Sequence, residues 1–347
     1  MTIILGANTP KRCQTGRMSS VNRVLAVVGA TAAGKSDLAV ELALRLAERG
    51  TPGEVINADS MQLYRGMDIG TAKLTAAERR GVPHHLLDIW EVTETADVAR
   101  YQRLARGLID DIQARGGVPI LVGGSGLYVR GALDNLDFPG TDPQVRARLE
   151  AELADVGPAP LHARLAERDP AAAEAILPSN GRRIVRALEV IEVTGRPFTA
   201  TLPQHVSRYP CAQIGLSVPR TELDERIELR VDRMWEAGLV DEVRELDQHG
   251  LREGRTASRA LGYAQALRFL AAEQGRPNDD GVVEDYDEAT ARADTVRATR
   301  RFARRQDAWF RRDPRIHWLP YDAPDLADRA MELALNEVGD VQGQLSG

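Results

Sequence analysis

Val24-Leu25-Ala26-Val27-Val28-Gly29-Ala30-Thr31-Ala32-Ala33-Gly34-Lys35-Ser36 decides the architecture: an apolar, β-prone run ends in glycine, turns, and gives way to a helical pattern reaching Glu48. Residues Gly29 to Ser36 fit the spacing G-x-x-x-x-G-K-[ST], and they do so between a strand and a helix start, where the chemistry needs them. Glycines let backbone N–H groups curl around a phosphate, and the helix N-terminus adds positive potential. Lys35 supplies a point charge, and the Ser36 hydroxyl can ligate Mg²⁺. A diphosphate ester and a nucleoside triphosphate present similar oxygens to such a loop, so the loop alone leaves its ligand open.

Beyond this βα unit, Val55 and Ile56 predict a second strand, Leu86, Leu87 and Ile89 a third, and Val118 to Val122 a fourth, with a helix from Val98 to Ala114 before it. Strands alternating with helices predict the α/β class with a parallel sheet. From Asp142 to Thr194 the pattern is helical throughout, broken at Pro158, Pro170 and Pro178, which predicts an all-helical domain inserted into the sheet domain. A strand returns at Ile214 to Val218. A long amphipathic helix from Thr221 to His249, a basic helix from Glu288 to Arg312 and a last strand at Ile316 to Leu319 complete the pattern. The expected division is a disordered tail over 1–20, an α/β core over 21–140 and 208–340, and a helical insertion over 141–207.

Composition narrows the class. The chain has 347 residues, 43% hydrophobic and 28% charged, and no apolar run approaches the roughly 18 residues that suggest a membrane span. Cys13 and Cys211 offer neither a CxxC metal pair nor a disulfide framework, which suits a reducing compartment. Lys11, Arg12 and Arg17 follow the short apolar start, the reverse of a signal peptide's order. A soluble, cytoplasmic monomer is the expectation. Net charge is −6, yet seven arginines against one acid, Asp307, fall between Arg297 and Arg312, and for a polyanionic partner the distribution of charge matters more than its sum.

Three further places can carry chemistry. Asp59, in Asn57-Ala58-Asp59-Ser60, stands at the carboxyl end of the second strand beside the phosphate loop, where open α/β sheets bind ligands. It is a general-base candidate, for a hydroxyl in a kinase or an amine in a group transfer, with a capping or turn aspartate as the plainer reading. Gly123-Gly124-Ser125-Gly126 is a second glycine turn after a parallel strand, where Ser125 can meet a phosphate or an amine, or simply cap a helix. Arg297, Arg301, Arg304 and Arg305 share a helix face, with Trp309 and Phe310 beyond, a combination suited to RNA phosphates and unpaired bases; a solvated helix paired with acids is the alternative. His84 and His85 are adjacent ahead of a strand, so their side chains diverge and read as structural histidines.

The run Asp59-Ser60-Met61-Gln62-Leu63-Tyr64-Arg65-Gly66-Met67-Asp68-Ile69-Gly70-Thr71-Ala72-Lys73 resembles the signature of tRNA dimethylallyltransferases, and further stretches match the same family in its order. The resemblance covers Val24 to Pro320. It implies a P-loop NTPase-like core and an insertion reaching toward the tRNA anticodon stem-loop. It implies transfer of a dimethylallyl group from dimethylallyl diphosphate, with Mg²⁺, to N6 of the adenosine at position 37 in tRNAs reading codons that begin with U. By similarity Asp59 is the base, and Gly29, Thr31, Ala32, Ala33, Gly34, Lys35, Ser36, Ser125 and Arg230 hold the diphosphate, Ser36 with the metal. Asp59, Ser60, Met61, Gln62, Ser125, Arg146, Arg182, Arg183, Arg186, Arg259, Gly262, Tyr263, Arg304, Arg305, Gln306, Trp309 and Arg311 match positions that meet tRNA. Ser36 and Ser125 stand where threonine is frequent in the family, each keeping the hydroxyl. The rival readings are a small-molecule kinase using ATP on the same loop and a non-catalytic RNA-binding module.

Overall fold

The computed structural model describes residues 23–136, 138, 140–198, 205–277 and 281–336; the expected tail over 1–20 lies outside them. The elements follow in the order β1 (Val24–Val28), α1 (Lys35–Glu48), β2 (Gly53–Asn57), β3 (His84–His85), α2 (Val98–Ala114), β4 (Val118–Gly123) and α3 (Gly126–Leu133). Four helices come next, α4 (Pro143–Val156), α5 (Pro158–Arg168), α6 (Pro170–Ala175) and α7 (Gly181–Thr194). The chain then returns through β5 (Cys211–Ser217), α8 (Arg220–Glu236), α9 (Leu239–Gln248), α10 (Tyr263–Glu273), α11 (Glu288–Phe310), β6 (Ile316–Pro320) and α12 (Leu326–Asn336).

The strands form one parallel sheet among the described residues, in the order β3-β2-β4-β1-β5-β6. β1 lies inside it and is buried along its whole length. Because side chains alternate across a strand, Leu25 and Val27 face a cluster with α1 and α12. Val24, Ala26 and Val28 face the other cluster, which holds residues of α2, α3 and α8 to α11. Helices on both faces of a parallel sheet, with the phosphate loop at the carboxyl end of β1, make the core P-loop NTPase-like.

α4 to α7 bury a cluster of their own, including Leu149, Leu161, Leu165, Ile184 and Leu188. Proline opens α4, α5 and α6, because a first-turn N–H has no intrahelical partner to lose. Two of the prolines that break the helical pattern, Pro158 and Pro170, are thus residues that start new helices, whereas Pro178 lies in the turn before α7, which begins at Gly181 with Asn180 as its cap.

Two element boundaries differ from the sequence reading. The third strand is His84–His85, paired with β2, whereas Leu86 and Asp88 turn at φ 59° and 57°, a left-handed backbone that no strand accepts. The two histidines diverge as expected: His84 Nδ1 lies 2.8 Å from the Val82 carbonyl and His85 Nε2 2.7 Å from Glu54. The helix expected from Thr221 to His249 is two, α8 and α9, parted at Gly238, whose φ is 96°.

Candidate active site

The phosphate loop is a turn held open from three sides. Gly29, Ala32 and Gly34 all have positive φ, 136°, 62° and 93°. Gln306 Oε1 of α11 accepts the Thr31 N–H at 2.8 Å, and Arg226 Nε of α8 donates to the Ala32 carbonyl at 2.8 Å. Lys35 Nζ donates to the Ala30 carbonyl at 2.7 Å. Gly34 gives α1 no side-chain cap, so the helix keeps amide donors for an anion. Burial lowers the Lys35 ammonium to about 8; Asp59 opposes that shift and Arg230 adds to it. Burial likewise lowers Arg230, against the pull of Asp59. These three charges form one electrostatic group.

Asp59 is positioned by the end of β2. Asn57, buried, accepts the Asp59 N–H on Oδ1 at 2.8 Å and donates from Nδ2 to the carbonyls of Asp59 and Leu86 at 3.0 and 2.9 Å. Tyr101 of α2 donates to the Asn57 carbonyl at 2.9 Å. Asp59 Oδ1 accepts the Met61 N–H at 2.9 Å, which is the turn role; Oδ2 takes no hydrogen bond among the described residues, and Asp59 lines a large cleft. Ser125 precedes α3 but its hydroxyl makes no capping bond. It lies 3.2 Å from both the N–H and the hydroxyl of Ser60, tying the second glycine turn to Asp59-Ser60. That turn needs its glycines: a Cβ on Gly124 would fall 2.3 Å from Gln306 Nε2, and one on Gly126 2.1 Å from Trp309 Nε1.

The cleft has a volume of about 1880 Å³ and lies between the sheet's carboxyl edge and the helices α4 and α7. It gathers Thr31, Asp59, Ser60, Met61, Ser125 and Arg230 at one end, with Arg146, Arg182, Arg183 and Arg186 from the four-helix segment and Arg259, Arg305 and Trp309 from the core. Arg182, Arg183, Arg259 and Arg305 are exposed. Arg146 and Arg186 instead close on the buried Glu189. Burial pushes Glu189 up, but its two arginines outweigh that and hold its carboxyl below the ordinary value.

Other expected contacts lie elsewhere. Gln306, Gly262 and Tyr263 are buried. Gln306 joins the two glycine turns, donating to the Gly124 carbonyl at 2.9 Å, and Tyr263 donates to Glu242 at 2.5 Å. Burial, not exposure to a partner, is what the structure gives these three. Gln62 donates to the Thr71 and Ala72 carbonyls at 3.1 and 3.4 Å. Arg304 is exposed but outside the cleft lining, and Arg311 stacks over Trp318 at 4.3 Å while pairing with Asp307 at 3.2 Å. Phe310, expected beside Trp309 on the basic face, is buried.

Sequence reasoning missed Arg103 and Arg255, which line the cleft, and Arg226 and Asn57, which shape the loops. Arg226 stands four residues before Arg230 on α8, so helical spacing could have found it. Arg103 and Arg255 have no local signal. No cluster of three or more His, Cys, Asp or Glu side chains able to hold a metal occurs among the described residues. The Ser36 hydroxyl, in the first turn of α1, is a hard oxygen donor of the kind that fits a Mg²⁺ completed by substrate oxygens and water.

A profile of the IPP transferase family matches residues 62–313. A tRNA dimethylallyltransferase of Thermobifida fusca is 74% identical over 313 residues, covering 90% of this chain and 94% of that protein. One from Streptomyces coelicolor is 72% identical over 297 residues, 86% of this chain and 90% of that one. Among solved structures, the full-length tRNA isopentenylpyrophosphate transferase of Bacillus halodurans is 41% identical, with a TM-score of 0.62, covering 90% of this chain and 94% of that chain. A eukaryotic dimethylallyltransferase acting on tRNA is 25% identical with a TM-score of 0.75, over 90% and 78% of the two chains. The chain belongs to the IPP transferase family.

Proposed function

We propose that this protein transfers a dimethylallyl group from dimethylallyl diphosphate to N6 of the adenosine at position 37 of tRNAs reading codons that begin with U. The carrying observation is the pairing, at one end of a basic cleft, of an open phosphate loop with a carboxylate, Asp59, one of whose oxygens takes no hydrogen bond among the described residues. The loop N–H groups, Lys35, Arg230 and Ser125 hold the diphosphate. Ser36 would hold a Mg²⁺, which when bound would supply further charge neutralisation to the diphosphate.

Adenine N6 is a weak nucleophile because its lone pair is delocalised into the ring. Attack on the allylic C1 forms the N–C bond as the C1–O bond to diphosphate breaks, and the N6 proton passes to Asp59. A positioned base contributes roughly 10²- to 10⁴-fold, and preorganised charge on the leaving group is usually the larger effect. The adenosine must leave its stack to reach Asp59, at a cost of a few kcal/mol. Phosphate contacts from Arg182, Arg183, Arg259 and Arg305 offset that cost, with the insertion over 141–207 as the arm on the anticodon stem-loop.

The test is incubation with labelled dimethylallyl diphosphate, total tRNA and Mg²⁺, followed by nucleoside analysis. N6-isopentenyladenosine is the expected product. In Asp59→Asn the single-turnover rate should fall by about 10² or more, with prenyl diphosphate affinity little changed. A wild type yielding no modified adenosine would overturn the function, and a near-normal Asp59→Asn rate would overturn the base.

A further inference from the structure

Glu242 sits in the first turn of α9, where an acid commonly stabilises its own helix. Its carboxylate does something different. It accepts the N–H groups of Asp68, Ile69 and Gly70 at 3.1, 2.7 and 3.3 Å, and the Tyr263 phenol at 2.5 Å. Three successive amides converging on one anion form a nest, here filled by a side chain of the same protein. Tyr263 reinforces the arrangement: a Cβ on Gly70 would lie 2.4 Å from its ring, so the turn rests directly against it.

The next residue carries this geometry into the cleft. The Thr71 carbonyl accepts from Arg230 Nη2 at 3.3 Å and from Gln62 Nε2 at 3.1 Å. Gly70, Thr71 and Arg230 all line the cleft, whereas Glu242 does not. At the far side of the turn Lys73 Nζ donates to the Tyr64 carbonyl at 2.6 Å and to Asp68 at 2.7 Å. The turn is therefore fixed at both ends, and its Thr71 carbonyl holds the Arg230 guanidinium, whose charge acts on Lys35 and Asp59.

We propose that Glu242 is a positioning residue for the transfer site: by fixing the Asp68–Thr71 backbone it sets, through the Thr71 carbonyl, where the Arg230 guanidinium meets the diphosphate. The inference rests on the reading of Arg230 as a diphosphate contact. Glu242→Gln keeps the size but puts an NH₂ group against amides that need an acceptor, so the turn must shift.

The experiment is a double-mutant cycle with Glu242→Gln and Arg230→Ala. Dimethylallyl diphosphate binding is measured by calorimetry, and tRNA binding and the KM of each substrate are measured alongside. Glu242→Gln should weaken prenyl diphosphate binding by about tenfold, the size common for groups in one hydrogen-bond network, and leave tRNA affinity unchanged. In the Arg230→Ala background it should add nothing. Tyr263→Phe removes a single bond from the same carboxylate; it should give a smaller loss that also vanishes without Arg230, and it decides the matter if Glu242→Gln does not fold. Equal losses with and without Arg230, or a loss of tRNA affinity in place of diphosphate affinity, would overturn the proposal while leaving the function standing. A wild type that does not bind dimethylallyl diphosphate would take both down.

Discussion

Lys35 titrates near pH 8 because the loop strips water from its ammonium and Arg230 repels it. The charged form, useful to a diphosphate, is therefore present at pH 7 and is lost as pH rises through about 8. Phosphate groups complete their second ionisation near pH 6, so the ligand's charge is constant across this window. Dimethylallyl diphosphate affinity should fall between pH 7 and 9.5 in the wild type and stay flat in Lys35→Arg, whose guanidinium does not titrate there. Calorimetry over that range checks it, and equal slopes in the two proteins would remove Lys35 from the diphosphate. The loop residues and Asp59 were legible because each lies in a short pattern at a strand end. Arg226 and Gln306 act through contacts 194 and 275 residues along the chain, to Ala32 and Thr31, and no local pattern encodes such distances; Asn57 holds Asp59 two residues on, but its anchor at the Leu86 carbonyl comes from another segment.

α11 illustrates what an element's pattern reveals and hides. Its arginine spacing was plain, and Arg301, Arg304 and Arg305 are exposed on it. The solvated alternative also holds in part, since Arg300 pairs with Glu228 at 2.6 Å and Arg297 with Asp294. The inward face carries Thr295, Ala303, Gln306 and Phe310, and the glutamine among them was expected, by resemblance, at a position that meets tRNA. Its amide instead joins Thr31 to Gly124. Gln306→Leu would fill the space and leave a buried N–H and a carbonyl unpaired, at about 1–3 kcal/mol for such a group. The urea midpoint should drop accordingly and prenyl diphosphate binding weaken with it. An unchanged midpoint and unchanged binding would show that the two turns hold without this link. Gly238 was in view too, but one glycine inside a helical pattern is often tolerated; only its left-handed backbone makes it a break. α10 and α12 follow no motif; packing against other segments shapes them, α10 on α9 and α11 and α12 on α1, β5 and β6.

The whole molecule sets two bodies of chain around one cleft, a parallel-sheet core that supplies the phosphate loop and Asp59, and four helices that bring arginines to the opposite wall. Strand–helix alternation made the α/β sheet legible in the sequence, and the helical pattern after Asp142 made the run of helices α4 to α7 legible. The full lining of the cleft was not, because Arg103 and Arg255 join Arg146 in it only once both parts are folded. A net charge of −6 coexists with this basic interior because acids such as Asp224, Glu228 and Asp294 pair with arginines on the outer side of α11. The loop's spacing is shared with nucleotide-using enzymes, so the question for the molecule is which phosphate ester drives its chemistry. Single-turnover transfer from labelled dimethylallyl diphosphate to saturating tRNA, with Mg²⁺ and with ATP titrated from zero, answers it. Full transfer without nucleotide, slowed by ATP only as a competitor for the loop, is the predicted result; transfer that requires ATP, or ATP consumed in step with product, would contradict it.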